Sequence, residues 1–413
     1  MKDIAFKAKK ASKELLKLDK NTRNEIYNNL IINLKNKEKE IVEANHIDVT
    51  HAKKEGLSEA MIDRLIIDEA RLSSIVESVK SVRDQEEVVG VLKDAVNRED
   101  GLVISKQAVP IGVILMIFES RPNVVIDSAI LALKSSNAII LKGGKEARFT
   151  NKIFGEIISE SIKDFIPTES VQVLDSDDRN LVNDLLSYNE FIDVVIPRGG
   201  HGLINHVYKN AKMPVIAHFR GLCHMYIDKE ADIDKATDLI VNAKTQRPGV
   251  CNALETLLIH EDVLESLCSK LLPVLLDKGT ELRVDNKIYE KFSMLNVSKA
   301  SENDWQTEYL KNILSIKTVP SLDEAITHIA TYGSNHTESI VTENQDVAMK
   351  FLNQVDASCV MVNSSTRFND GGELGLGAEI GISTSKIHAY GPMGASQMTT
   401  NRYVVMGNGH VRC

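Results

Sequence analysis

The stretch Val113-Ile-Leu-Met-Ile-Phe-Glu-Ser-Arg-Pro-Asn123 is a strand-sized apolar run, then a polar turn, then a proline suited to the first turn of a helix. The same grammar returns in Ala138-Ile-Ile-Leu-Lys-Gly-Gly-Lys-Glu146, and further short runs follow at Val171–Leu174, Asp193–Ile196 and Val215–Ala217. Amphipathic helices are expected between them at Lys145–Ile162 and Arg179–Leu186. Strand–helix alternation of this kind predicts a mostly parallel, doubly wound α/β sheet.

Before this region the chain reads as successive helices. Leu15, Leu16 and Leu18, then Ile26, Leu30 and Leu34, then Met61, Leu65 and Leu72 recur at helical spacing. They predict a helical layer that covers a sheet. A second unit is expected from about Asp228. It has a helix Asp232–Lys244 with Asp232 as N-cap, a stop at Pro248-Gly249 and a strand Leu254–Ile259. Residues 281–305 read as an irregular polar meander. Alternation resumes with Ile313–Val319, a helix opened by Ser321, Ile340–Val341, a helix to Val355 and Cys359–Val362. Tyr403–Met406, after a glycine-rich region, reads as a strand suited to pairing with another subunit.

The chain has 413 residues, 43% hydrophobic and 26% charged, with a net charge of −9. The length calls for more than one domain. The acidic balance argues against a nucleic-acid binder, which would carry a basic face. The longest apolar run, Val109–Phe118, contains Pro110 and Gly112 and falls short of the roughly 18 residues of a membrane span. Met1–Lys10 carries lysines with no apolar segment behind them, which reads against a secretory signal. The five cysteines are odd in number and sparse, unlike a disulfide framework, and fit a reducing cytoplasm. The eleven histidines show no metal-ligand spacing, so no metal site is expected.

Cys251 stands in Lys244-Thr-Gln-Arg-Pro-Gly-Val-Cys-Asn-Ala-Leu-Glu255, a polar, basic, loop-like setting. Lys244 and Arg247 would favour its thiolate, whereas the negative end of the preceding helix would oppose it. It reads either as a nucleophile or as a small buried hydrophobe. Cys268 and Cys359 fall in apolar elements and read as core. Cys223 reads as structural, and Cys413 is terminal. The turns Leu141-Lys-Gly-Gly-Lys-Glu146 and Pro197-Arg-Gly-Gly200 open helices, where free N–H groups and the dipole attract phosphate. Neither is a G-x-G-x-x-G fingerprint, so plain tight turns remain the alternative. Arg121 and Asn123 follow a strand and either stand at a ligand-binding carboxyl end or form a surface turn.

Taken together, these pieces are Glu119-Ser-Arg-Pro-Asn-Val124, Leu141–Glu146, Ile196-Pro-Arg-Gly-Gly200, Val241-Asn-Ala-Lys-Thr-Gln-Arg-Pro248, Cys251-Asn252 with Glu255-Thr256, Gly371-Gly-Glu-Leu-Gly-Leu-Gly-Ala-Glu-Ile-Gly-Ile-Ser-Thr384 and His388-Ala-Tyr-Gly-Pro-Met-Gly394. In that order, across essentially the whole chain, they resemble the γ-glutamyl phosphate reductases of the aldehyde dehydrogenase superfamily. The resemblance implies an aldehyde-dehydrogenase-like α/β fold of two doubly wound Rossmann-type domains plus a small oligomerisation element. An NADP(H)-binding domain would take residues 1–98 and 113–228, a catalytic domain 229–385, and oligomerisation strands and tail 99–112 and 386–413.

The same resemblance implies NADPH-dependent reduction of L-glutamyl 5-phosphate to L-glutamate 5-semialdehyde in proline biosynthesis, by a cytoplasmic homo-oligomer able to receive substrate from glutamate 5-kinase. Cys251 would be the nucleophile, with Asn252, Arg121 or Asn123 as oxyanion donors. The cofactor would lie along Lys142, Gly143, Gly144 and Lys145 and along Arg198, Gly199 and Gly200, with Lys145 facing a 2′-phosphate and Glu308 holding the nicotinamide ribose. Arg247, Lys244 or Arg198 would hold substrate phosphate or carboxylate. Oxidative relatives carry a water-activating glutamate where this chain has His218. Its absence suits a reductase, whose thioester must await hydride. Gly249, Tyr390 and His218-Phe219 depart from the usual Ser, Arg and Thr-Gly of the family.

Overall fold

The computed structural model describes residues 1–175, 179–217 and 220–412. The run Val113–Phe118 is an inner strand with all six residues buried. Its sheet has four parallel strands in the order Val171–Val173, Ala138–Lys142, Val113–Phe118, Val194–Arg198. The chain thus builds outward on one side and then reverses to the other. Residues 119–123 and 198–200 leave carboxyl ends at this reversal, where open α/β sheets bind ligands, and residues 142–145 leave the carboxyl end of the adjacent strand Ala138–Lys142. The expected strand Val215–Ala217 amounts to one parallel bridge between Val195 and Val215.

The N-terminal helices Lys2–Leu15, Lys20–Asn36, Glu38–Lys54, Glu59–Leu65 and Glu69–Asp84 belong to the same unit, Met1–Ala217 with Gly375–Ile382 and the chain from Pro392. Polar ties fix this layer where apolar packing alone would let it slide. The buried Tyr27 hydroxyl donates to the Ile130 carbonyl at 2.9 Å, and the buried Lys134 ammonium reaches the Gln85 carbonyl at 2.6 Å and the Glu87 carboxylate at 3.1 Å. Asp48 accepts from the Phe149 and Thr150 amides and the Thr150 hydroxyl, at 3.2, 2.8 and 2.7 Å. It therefore caps the helix Arg148–Ile162 from a distant helix. A three-stranded antiparallel sheet of Leu92–Asn97, Val103–Pro110 and Thr399–Met406 completes the unit.

The second unit runs to Leu374 and resumes over Ser383–Gly391. Its seven strands are all parallel, in the order Val297–Lys299, Glu281–Val284, Ile313–Val319, Leu254–His260, Cys223–Ile227, Thr337–Val341, Cys359–Val362. Two expectations change here. Cys223–Ile227 pairs on both sides within this sheet, so the second unit starts before it and not after Asp228. Residues 281–305, expected to meander, supply two strands and a helix, Asn286–Phe292. Those strands are four and three residues long, too short for a period to show in sequence. The helix Ile233–Thr245 is capped by Asp232, which accepts from the Asp234 and Lys235 amides, and leads into the loop bearing Cys251.

Asp48→Ala should lower stability by about 1–2 kcal/mol, the loss expected of a helix cap. Asp48→Asn, which keeps an acceptor, should lose less. Urea midpoints of the two variants check this.

Candidate active site

Cys251 is a half-buried cysteine, outside any disulfide, in the loop between the helix Ile233–Thr245 and the strand Leu254–His260. The next residues, Asn252 and Ala253, are buried, so the chain offers one side chain outward and anchors itself immediately afterwards. Gly221 packs on Cys251: a Cβ there would lie 2.6 Å from the Cα and Cβ of Cys251. The Gly221 amide also donates to the Glu308 carboxylate at 3.0 Å. One glycine therefore joins the thiol and the expected ribose ligand. Cys251, Gly221 and Glu308 all precede strands, so these three residues lie at the amino ends of their sheet.

Several expectations are corrected by these contacts. The two hydrogens of the Asn252 carboxamide go to the carbonyls of Asn369 and Arg367, at 2.9 and 3.3 Å, and its oxygen accepts from the Arg367 guanidinium. Its donors are spent on positioning, not on an oxyanion. The Lys244 ammonium is fully buried and bound to the Leu254 carbonyl at 2.8 Å and the Glu255 carboxylate at 2.9 Å. It cannot reach a substrate. Burial pushes the Lys244 ammonium's pKa down and the Glu255 carboxyl's up, and their contact opposes both shifts. Cys223 donates to the Cys251 carbonyl at 3.2 Å, and burial raises its thiol well above the usual range, as fits a structural cysteine. Cys268 is fully buried, but Cys359 is only half-buried. His218 and Cys413 lie outside the described residues. Tyr390 donates to Asp356 at 3.1 Å.

In the first unit, both helix starts expected to bind phosphate are already occupied by carboxylates. Asp48 takes the amides at the start of Arg148–Ile162, and Glu119 accepts from the Gly200 amide at 2.8 Å. A Cβ on Gly199 would fall 2.7 Å from the Glu119 carboxyl carbon, so that turn is shaped around the carboxylate. Arg198 faces Glu379 at 3.0 Å. Asn123 donates to Asp127 at 2.9 Å, and Arg121 is half-buried in the same turn. Beside Gly143-Gly144 lies a cavity of about 420 Å³ lined by Lys142, Lys145, Arg148 and Lys152, with Glu156 and Asp175 among the acids. Lys145 pairs with Glu55 at 2.9 Å and Arg148 with Asp175 at 2.6 Å, all substantially exposed. Exposed pairs are worth about 0–1 kcal/mol and yield readily to a polyanion. These residues fit the phosphorylated end of a dinucleotide through side-chain cations.

Sequence reading missed Arg148, which lies within the expected helix Lys145–Ile162, and Arg367, which lies in no expected element. Nothing local in Ser365-Thr-Arg-Phe-Asn369 marks it. Only the fold brings it to Asn252.

Lys244→Met should cost about 3–5 kcal/mol by leaving Glu255 buried without its partner, and Lys244→Met with Glu255→Leu should regain most of that. Thermal unfolding checks it. A single variant of unchanged stability and weakened anion binding would contradict the structural role.

The sequence profile of the aldehyde dehydrogenase family matches residues 1–304. The chain is 47% identical over 415 residues to the gamma-glutamyl phosphate reductase of Clostridium tetani, covering 98% of this chain and 97% of that one. It superposes on the crystal structure of gamma-glutamyl phosphate reductase from Thermotoga maritima with a TM-score of 0.94 at 44% identity, over 99% of both chains. An acetylating aldehyde dehydrogenase from Geobacillus thermoglucosidasius shares the fold, at TM-score 0.74 and 18% identity, over 100% of this chain and 97% of that one. The chain belongs to the aldehyde dehydrogenase family and, within it, to the gamma-glutamyl phosphate reductases.

Proposed function

We propose that this protein reduces L-glutamyl 5-phosphate to L-glutamate 5-semialdehyde, releases phosphate and serves proline biosynthesis, with NADPH as reductant. The observation that carries the reading is the half-buried Cys251 thiol, which shares Gly221 with the Glu308 carboxylate in a chain of this family. The Cys251 thiolate attacks the acyl carbon, an S–C bond forms, and the carbonyl electrons move to oxygen. Collapse of that intermediate breaks the C–O bond to phosphorus, and phosphate leaves with the electron pair. Phosphate is a good leaving group and needs no strong acid from the protein. Covalent catalysis thus divides one hard step into two.

The oxyanion donors of this reading are the Cys251 amide with Asn123 or Arg121, while Asn252 holds the loop. Glu308 would bind the nicotinamide ribose, and Lys142, Lys145 and Arg148 the adenosine phosphates, including a 2′-phosphate. A bound nicotinamide cofactor would supply hydride for the thioester carbon, with the Cys251 sulfur as the leaving group. Arg198 in this reading orders the Glu379 segment. Arg247, exposed beside the nucleophile, is the substrate-anion ligand. The antiparallel sheet exposes Tyr403 and Val405, a surface suited to a second copy in a cytoplasmic homo-oligomer. No helix among the described residues is long and apolar enough to cross a membrane. Glutamate 5-kinase would supply the labile acyl phosphate.

The test is the reverse reaction, with glutamate semialdehyde, NADP⁺ and phosphate. Turnover should require phosphate and fall on the order of 10³-fold or more in Cys251→Ala. Turnover independent of phosphate would point instead to hydrolytic aldehyde oxidation. Lys145→Glu should raise the KM for NADP⁺ about 10–100-fold, the worth of one charge-assisted hydrogen bond, with a smaller effect on NAD⁺.

A further inference from the structure

Arg367 carries a half-buried charge without an ion-pair partner among the described residues. Its guanidinium is held by two neutral acceptors, the Asn252 carboxamide oxygen and the Gln246 side-chain oxygen, the latter at 2.8 Å. A guanidinium has five N–H groups in a rigid fork, and two neutral contacts leave part of that fork unused. The segment itself is firmly set. Thr366 donates to the Asn252 carbonyl at 2.7 Å, the Asn252 amide donates to the Arg367 and Asn369 carbonyls, and the Asn369 amide reaches Thr337 at 2.7 Å. Asn252 directly follows Cys251, so the guanidinium is tied to the nucleophile's neighbour by a contact that is itself neutral.

Withdrawing a cation from water without a carboxylate partner is unfavourable. Burial accordingly draws the Arg367 pKa down. Asp370 and the Cys251 thiol act against that shift, and Arg247 adds to it by repulsion. Two guanidinium groups are thus within electrostatic reach of each other and one of them of the thiol. A group of small radius and multiple negative charge satisfies both, and planar forks match phosphate oxygens in pairs.

We propose that Arg367 is the specificity-determining ligand of the phosphoryl end of the acyl phosphate, acting with Arg247. The proposal rests on the acyl-phosphate reading above and deepens it. The assignment goes to the phosphoryl end because Arg367 is bound to the residue beside Cys251, and the phosphate leaves from the carbon that Cys251 attacks. In the forward direction the C–O bond breaks and the departing phosphate oxygens are received by Arg367 and Arg247. In reverse, the same two residues hold inorganic phosphate while its oxygen attacks the thioester carbon and the Cys251 thiolate is expelled.

The experiment is the steady-state reverse reaction of wild type and Arg367→Lys, with phosphate and glutamate semialdehyde varied in turn. A lysine keeps the charge but loses the fork. The apparent KM for phosphate should rise about tenfold or more, while that for the aldehyde stays within about threefold. An unchanged phosphate KM overturns the proposal, and so does a rise confined to the aldehyde KM, which would put the guanidinium on the substrate's α-carboxylate. If Arg367→Lys fails to fold, arginine modification of the wild type by butanedione decides it. Inorganic phosphate should protect Arg367, read by peptide mass spectrometry, and absence of protection overturns the assignment. Wild type without phosphate-dependent turnover would sink the functional reading, whereas the protection measurement tests Arg367 by itself.

Discussion

The hydrogen bonds from the Asn252 carboxamide to the carbonyls of Arg367 and Asn369 are the constraint on which the position of Cys251 depends. A reactive thiol has to be accessible, and an accessible loop is ordinarily mobile. Burying the adjacent residue and spending both its donors on a distant segment resolves that conflict. Buried donors left unpaired are costly, so the two segments are held together by what separation would forfeit. Gly221 secures the opposite side, where any side chain would displace Cys251.

Charge is distributed by the same logic. The helix before Cys251 turns its negative end toward the loop, which disfavours a thiolate. Lys244, seven residues before Cys251, is paired with Glu255 inside the core. Arg367 supplies positive charge from more than a hundred residues away. In the first unit, the carboxylates of Asp48 and Glu119 fill the helix starts that would otherwise attract phosphate. The positive charge on that side is instead carried by side-chain cations around the cavity at Lys142–Lys145.

The strands Val113–Phe118, Ile313–Val319 and Cys359–Val362 were legible to the residue, and so were the caps Asp232 and Ser321, because strand runs and helix starts are local signals. The strands within 281–305 were not, being shorter than any period. The start of the second unit was misplaced because Cys223–Ile227 takes its partners from residues well beyond it in sequence, and pairing carries no local mark.

The sequence alone determined the alternation of strand and helix, the family, and the candidacy of Cys251 through the motif around it. Each of these is written in contiguous residues. The tertiary structure decided which polar groups are spent and which remain to act: Asn252 and Lys244 turned inward, Glu119 and Asp48 covered helix starts, and Arg367 arrived beside Asn252, the neighbour of Cys251. Those outcomes turn on burial and on hydrogen-bond partners far apart in the chain, and a linear pattern contains neither.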